Sequence, residues 1–142
     1  MTAADFGSID WDRLREAAVA ALDNSYSPYS HFPVGVAGYA HDGRLVWGAN
    51  IENASYGITL CAECSMVSNL FSTGGGRLIA AWCVDGNGNT LMPCGRCRQL
   101  LYEHGGPNML MMTPEGVQTM AQILPQAFGP QDLSEYQSQG GS

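Results

Sequence analysis

Trp11, Leu14, Ala18 and Leu22 recur at spacings of three and four through an otherwise mixed stretch, with Ser8 or Asp10 standing where a cap belongs. That is the pattern of one apolar helical face, and it predicts a helix over 11–24. Residues 25–33 set two prolines among serines and tyrosines, so a loop follows. Val34 to Tyr39 reads as a strand, Asp42-Gly43 as a tight turn, and Arg44 to Asn50 as the returning strand of a hairpin. Cys61 to Ser72 predicts a second helix, stopped by Gly74-Gly75-Gly76. Arg77 to Asp85 is a strongly apolar strand ended by Gly86-Asn87-Gly88. Pro93 fits the start of a helix that runs through Gln99 to about His104 and breaks at Gly105-Gly106-Pro107. Asn108 to Thr113 is a further apolar strand, and Gln118 to Leu124 a short helix or extended segment.

Helix, hairpin, helix, strand, helix, strand is an order that implies right-handed crossovers and a parallel component beside the opening hairpin. The expected fold class is α/β: a three-layer sandwich with a mixed, about five-stranded sheet, antiparallel at its hairpin edge and parallel in its second half, flanked by helices. A chain of 142 residues is one domain's worth, taken here as 1–133, with the polar, glycine-rich residues 134–142 as a mobile tail.

Composition narrows the function classes. Apolar residues make up 45% and charged residues 13%, which excludes a disordered chain and gives enough core to fold without metal. The net charge is −7 and all six basic residues are arginine, so clustered positive charge for a nucleic-acid partner is missing. No stretch approaches the roughly 18 apolar residues of a membrane span. Met1 to Asp12 is acidic instead of basic-then-apolar. These features point to a soluble cytoplasmic protein with no membrane partner.

Four of the five cysteines form two C-x2-C pairs, Cys61/Cys64 and Cys94/Cys97, separated by 29 residues. Without an export signal, that spacing reads as metal or redox chemistry. The fifth, Cys83, lies among Leu78, Ile79, Ala80, Ala81, Trp82 and Val84 and reads as a small buried hydrophobe. Four thiolates could close a structural zinc site. Against that module, each pair opens a helix, Cys94 and Cys97 share one face at i, i+3, and a carboxylate, Glu63, stands two residues after Cys61. Inside a helix, positions i and i+2 diverge by about 200°. Cys61 and Glu63 therefore share a site only if Cys61 sits at the non-helical start. His31, His41 and His104 read as solvated or hydrogen-bonded side chains, not as ligands.

Five segments carry a resemblance. They are Ser27-Pro28-Tyr29-Ser30-His31-Phe32-Pro33-Val34-Gly35, Asn50-Ile51-Glu52-Asn53-Ala54-Ser55-Tyr56, Cys61-Ala62-Glu63, Pro93-Cys94-Gly95-Arg96-Cys97-Arg98-Gln99, and Leu124-Pro125-Gln126-Ala127-Phe128-Gly129-Pro130. In this order they resemble the homotetrameric cytidine deaminases, within the zinc-dependent cytidine and deoxycytidylate deaminase superfamily. The resemblance implies one Zn²⁺ per subunit on Cys61, Cys94 and Cys97, with an open position that makes bound water acidic, and Glu63 as the proton carrier. It implies hydrolytic deamination of free cytidine and 2′-deoxycytidine to uridine and 2′-deoxyuridine with release of ammonia, a step of pyrimidine salvage. Asn50 and Glu52 are then the ribose contacts, Phe32 packs on the base, and the Ala62 backbone reads the pyrimidine edge. Ala54, Tyr56 and Phe128 match positions that reach into a neighbouring subunit, so a homotetramer with shared active sites is implied.

One position departs. The family commonly keeps an arginine directly after the glutamate, where this chain has Cys64. Three thiolates on Zn²⁺ carry a net −1, and the expected compensation comes from the two helix N-termini and from Arg98, ahead of Arg96. Two alternatives stay open at this point, a deaminase of the blasticidin S type and the non-catalytic four-cysteine zinc module. A deaminase of nucleic acid is disfavoured by the charge.

Overall fold

The computed structural model describes residues 9–140; Ser8 and the last two tail residues lie outside them. The elements run α1 (Trp11–Ala21), β1 (Val34–Ala40), β2 (Leu45–Ala49), α2 (Ala62–Ser72), β3 (Leu78–Asp85), α3 (Gly95–Gly105), β4 (Leu110–Thr113), β5 (Gly116–Thr119), α4 (Met120–Ile123) and α5 (Pro130–Ser138). Of the two candidate caps, Asp10 is in place: it is the N-cap of α1 and accepts from the Arg13 N–H at 3.0 Å.

The five strands form one sheet in the order β2-β1-β3-β4-β5. β1 pairs antiparallel with both β2 and β3, β3 pairs parallel with β4, and β4 pairs antiparallel with β5. This is the expected mixed sheet flanked by helices, with the parallel pairing confined to β3 and β4. The chain reverses after Thr113, which pairs with Gly116 across a tight turn, and Gly116 takes φ 102, a conformation that favours glycine. β5 occupies part of the segment read as 118–124, and the rest is α4, closed by a capping box between Thr119 and Gln122.

Helices cover both faces. On one, Leu14 and Ala18 of α1 pack with Ala37, Tyr39, Ala80 and Val84. On the other, Met66 and Leu70 of α2 and Leu101 of α3 pack with Val36, Val46, Ala81 and Cys83. Alternation along β3 thus sends Ala80 and Val84 to α1 and Ala81 and Cys83 to α2 and α3, and burial of both faces explains its unbroken apolar run. Two glycines set how closely the helices sit. A Cβ on Gly35 would lie 2.2 Å from the Ala18 carbonyl of α1. One on Gly48 would lie 2.4 Å from the Met66 N and 2.5 Å from the Ala62 carbonyl of α2.

The tail expected to be mobile from Ser134 begins as the last five residues of α5, none of them buried. Pro130 opens that helix and Asp132 Oδ2 accepts from the Gly129 N–H at 2.8 Å. Among the described residues no helix is long and apolar enough to cross a membrane.

Candidate active site

Both α2 and α3 begin at a cysteine in extended conformation, where serine, threonine, aspartate or asparagine is usual. Cys61 has φ −65 and ψ 157, and Cys94 has φ −65 and ψ 170. Cys61 therefore lies at the non-helical start, the geometry that lets it share a site with Glu63 in the first turn. The ligand atoms of Cys61, Cys94 and Cys97 all lie within 4.8 Å of one another. Cys97 is buried, Cys61 is half-buried and Cys94 is exposed, so the group is open on one side. Three convergent thiols with an open side fit a zinc ion held at three corners, and the positive ends of two helices favour the thiolate form.

Burial raises the Cys61 thiol above its ordinary pKa. Burial raises Cys97 much further, and the Glu63 carboxylate adds to that rise. Cys94 is lowered: burial pushes it up, but the Cys97 N–H and the Cys97 and Cys61 thiols outweigh that effect by hydrogen bonding to its sulfur. A cation entering here displaces protons from Cys61 and Cys97. Cys64 stands outside the group, its Sγ 3.7 Å from Arg96 Nη2. Three thiols, not four, converge among the described residues, contrary to a closed four-cysteine module.

Glu63 is 3% exposed, and its Oε1 accepts from the Cys83 thiol at 3.2 Å. Cys83 is therefore more than the inert core residue its apolar neighbours suggest. Its partner comes from α2, a distant segment, and only the strand alternation hints at the meeting.

Arg98 has two main-chain partners. It donates from Nε to the Pro93 carbonyl at 2.9 Å and from Nη1 to the Ile123 carbonyl at 3.0 Å. Its guanidinium thus braces the loop carrying Cys94, and among the described residues its hydrogen bonds go to carbonyls and not to a sulfur. The reason is helical: one residue after Cys97 the side chain has turned about 100° away from the thiol face. It is Arg96 that meets a sulfur, that of Cys64.

Asn50 and Glu52 lie just past β2, on either side of Ile51, which bridges to both Tyr26 and Leu60. Asn50 is buried; its Oδ1 accepts from the Val34 N–H at 2.9 Å and from the Ser25 hydroxyl, and its Nδ2 donates to the Phe32 carbonyl at 2.9 Å. Glu52 accepts from the Tyr29 and Ser30 N–H groups at 3.0 and 3.1 Å and from the Ser30 hydroxyl. The Ser30 hydroxyl, then the two N–H groups and His31, hold the Glu52 carboxyl below the usual range against the opposing effect of burial. These two side chains fix the 25–34 loop and present Phe32 half-exposed. A cavity of about 350 Å³ opens between Tyr29, Ser30, Glu52, Tyr56 and Thr59.

Ala62 is buried in the first turn of α2. Ala54, Tyr56 and Phe128 are exposed, and the Phe128 carbonyl accepts from Gln99 Nε2 at 2.8 Å. That bond gives the Gln99 of the second cysteine motif a function its sequence position does not disclose. The histidines stay outside the thiol group. His41 Nδ1 accepts from the Arg77 N–H at 3.4 Å, and His104 packs edge-on to Phe71 with centroids 5.2 Å apart.

The profile of the cytidine and deoxycytidylate deaminase zinc-binding region matches residues 10–113. A cytidine deaminase of Mycobacterium tuberculosis is 55% identical over 125 residues, 88% of this chain and 94% of that protein. One of Halalkalibacterium halodurans is 36% identical over 89% of this chain and 100% of its own. Among solved structures, the cytidine deaminase of Mycobacterium leprae superposes with a TM-score of 0.82 at 72% identity, covering 83% of this chain and 99% of that one. With that similarity, and with three cysteines and a glutamate gathered at two helix starts, the chain belongs to the zinc-binding cytidine and deoxycytidylate deaminase family.

Proposed function

We propose that the chain hydrolyses free cytidine and 2′-deoxycytidine to uridine and 2′-deoxyuridine, releasing ammonia, as a cytoplasmic homotetramer. The observation that carries the reading is the buried Glu63 carboxylate on the same helix start as Cys61, beside the convergent thiols. Zinc held by Cys61, Cys94 and Cys97 supplies Lewis acidity that makes water a nucleophile at neutral pH. Glu63 does the rest of the proton work. It takes a proton from the attacking water, delivers it to ring N3 as the oxygen adds to C4, and assists departure of the amine as ammonia. One water is consumed and one ammonia leaves, so the atoms balance.

Asn50 and Glu52 serve the ribose, Phe32 the base, and the Ala62 backbone the pyrimidine edge, where the first helical turn keeps N–H groups free of intrahelical partners. Apolar exposure is consistent with the tetramer: Tyr56 is 75% and Phe128 59% exposed, rings that a neighbouring subunit would cover. Ala54, Tyr56 and Phe128 then complete a neighbour's site. The net charge of −7 favours an uncharged nucleoside over a phosphorylated or polymeric substrate. Free thiols at a zinc site suit a reducing compartment.

An absorbance assay on the zinc-loaded protein tests the reading. Cytidine and 2′-deoxycytidine are turned over, cytidine monophosphate and single-stranded DNA are not, and Glu63→Gln keeps its zinc while losing nearly all turnover. Turnover of single-stranded DNA alone, or full zinc without nucleoside turnover, overturns it. Sedimentation at assay concentration gives the subunit number.

A further inference from the structure

We infer that Cys83 is a positioning residue for Glu63, its thiol holding one carboxylate oxygen so that the other is free to exchange protons. The inference rests on the proposed role of Glu63. Cys83 sits on β3, fully buried, on the face that packs against α2 and α3. Its Sγ lies 3.2 Å from Glu63 Oε1, within reach of an S–H donor to a carboxylate. A buried carboxylate needs such partners, because an unpaired one is expensive.

Among the described residues Cys97 is the other thiol that hydrogen-bonds that carboxylate. Cys97 belongs to the metal-holding group and gives up its proton when it ligates, whereas Cys83 stands outside the group. Of these two thiols, Cys83 is the donor that remains with the ion in place. It stays a thiol, since burial, and then the adjacent Glu63, push its ionisation well above the ordinary range. The chemistry of the donor suits the task. A thiol is a weak hydrogen-bond donor, so it fixes the orientation of Oε1 without strongly stabilising the ionised form of a group that must take up and release a proton within each turnover.

Cys83 also differs from the other cysteines in what surrounds it. Ala81, two residues earlier on the same face, has no group to offer, and the opposite-facing Trp82 bonds from Nε1 to Thr90 Oγ1 at 3.1 Å, away from the site. Among the described residues no arginine side chain donates a hydrogen bond to Glu63.

Three substitutions separate packing from hydrogen bonding. Cys83→Val keeps bulk without the donor, Cys83→Ala removes both, and Cys83→Ser keeps a donor. With zinc content and melting temperature recorded for each, Val and Ala lower kcat by about 5- to 10-fold at unchanged KM, the size of one modest hydrogen bond lost in the transition state. Ser recovers most of that loss. Wild-type kcat in Val, or Ser no better than Val, overturns the inference.

An infrared measurement keeps the test independent of turnover. In the zinc-loaded protein the S–H stretch assigned to Cys83, as the band lost in Cys83→Ala, moves to higher frequency in Glu63→Gln, because an amide oxygen is a weaker acceptor than a carboxylate. An unmoved band overturns the inference. Active Glu63→Gln enzyme overturns the proposed function instead, so the two failures are distinguishable.

Discussion

Arg98 reaches across from α3 to the Ile123 carbonyl at 3.0 Å while its Nε holds the Pro93 carbonyl at 2.9 Å. One side chain thereby joins the end of α4 to the loop from which Cys94 enters α3. The fork geometry of guanidinium suits two divergent acceptors in a way that a single ammonium does not.

Arg98→Ala is expected to cost about 2 kcal/mol of stability, the scale of hydrogen bonds from a charged donor. It should also release zinc faster to a competing chelator. Arg98→Lys recovers little of either. Denaturant melts and chelator-capture kinetics measure both effects, and a wild-type rate of zinc loss in Arg98→Ala contradicts this bracing role.

Gly48 and Gly35 mark the closest approach of a helix on each face, and they separate site from scaffold. Gly48→Ala pushes the first turn of α2, with Cys61 and Glu63 on it, away from β2, because a Cβ there meets the Ala62 carbonyl at 2.5 Å. Gly35→Ala disturbs α1, on the face without the thiols. Both destabilise, by about 1–3 kcal/mol as overpacking does. Only Gly48→Ala should also reduce kcat by an order of magnitude or so in molecules that remain folded. Equal kcat losses in the two variants, compared at matched folded fraction, refute the distinction.

Removal of zinc should abolish deamination and leave the fold. The two apolar clusters around Leu14 and Met66 contain none of the three metal-holding cysteines. A chelated sample is expected to keep its far-UV circular dichroism and melt cooperatively at lower temperature, since an ion binding only the native state at 100 times its Kd adds about 2.7 kcal/mol. Activity returns with added zinc. Collapse of the dichroism on chelation shows the metal to be structural.

Glu52 links the 25–34 loop to pH. Its folded pKa is depressed, so its bonds to Tyr29 and Ser30 contribute fully above the unfolded value and are lost as pH falls through the folded one. The Tyr29 and Ser30 amide resonances should therefore titrate together with a midpoint below the ordinary 4.5, with nucleoside KM rising over the same acid range. In Ser30→Ala the midpoint moves up, as the largest cause of the shift is gone. A wild-type midpoint at or above 4.5 contradicts the assignment.

Phe128→Ala tests the proposed sharing of the pocket between subunits. A ring 59% exposed in its own subunit contributes little to that subunit's stability, so the melt should barely change. Nucleoside KM should rise by roughly 10-fold or more, the scale of a lost aromatic stack. Mixed tetramers containing Phe128→Ala and Glu63→Gln subunits should regain sites that neither parent has. Unchanged KM in the single variant ends the role.

Much of this was legible because the chemistry sits at element boundaries. The requirement that Cys61 precede the helix follows from the angle between i and i+2, and Pro93 and the triple glycine mark where α3 begins and α2 stops. β5 is less legible: Val117 and Gln118 alone carry little strand signal, and its one local mark is the Pro114-Glu115-Gly116 turn that folds it onto β4. The carbonyl partners of Arg98 are not legible from its place beside Cys97, because neighbours in sequence point in different directions on a helix. Cys83 could not be read from its flanks, since the group that gives it meaning arrives from another helix. The bonds of Asn50 and Glu52 to Ser25, Tyr29, Ser30 and Val34 depend on how a proline-rich loop closes, which spacing does not encode.

The separation of Cys61 from Cys94 and Cys97 along the chain has a consequence for biosynthesis. Between them lie the rest of α2, all of β3 and the turn after it, so the three sulfurs meet only when β3 has inserted beside β1 and α3 has folded back against α2. Joining such distant segments costs loop entropy that local contacts do not repay. A nascent chain that has exposed Cys61 but not Cys94 offers no three-thiol grip. Metal capture at this grip thus follows the insertion of β3 and the docking of α3, and a zinc-loaded molecule is one in which those two elements have come together with α2.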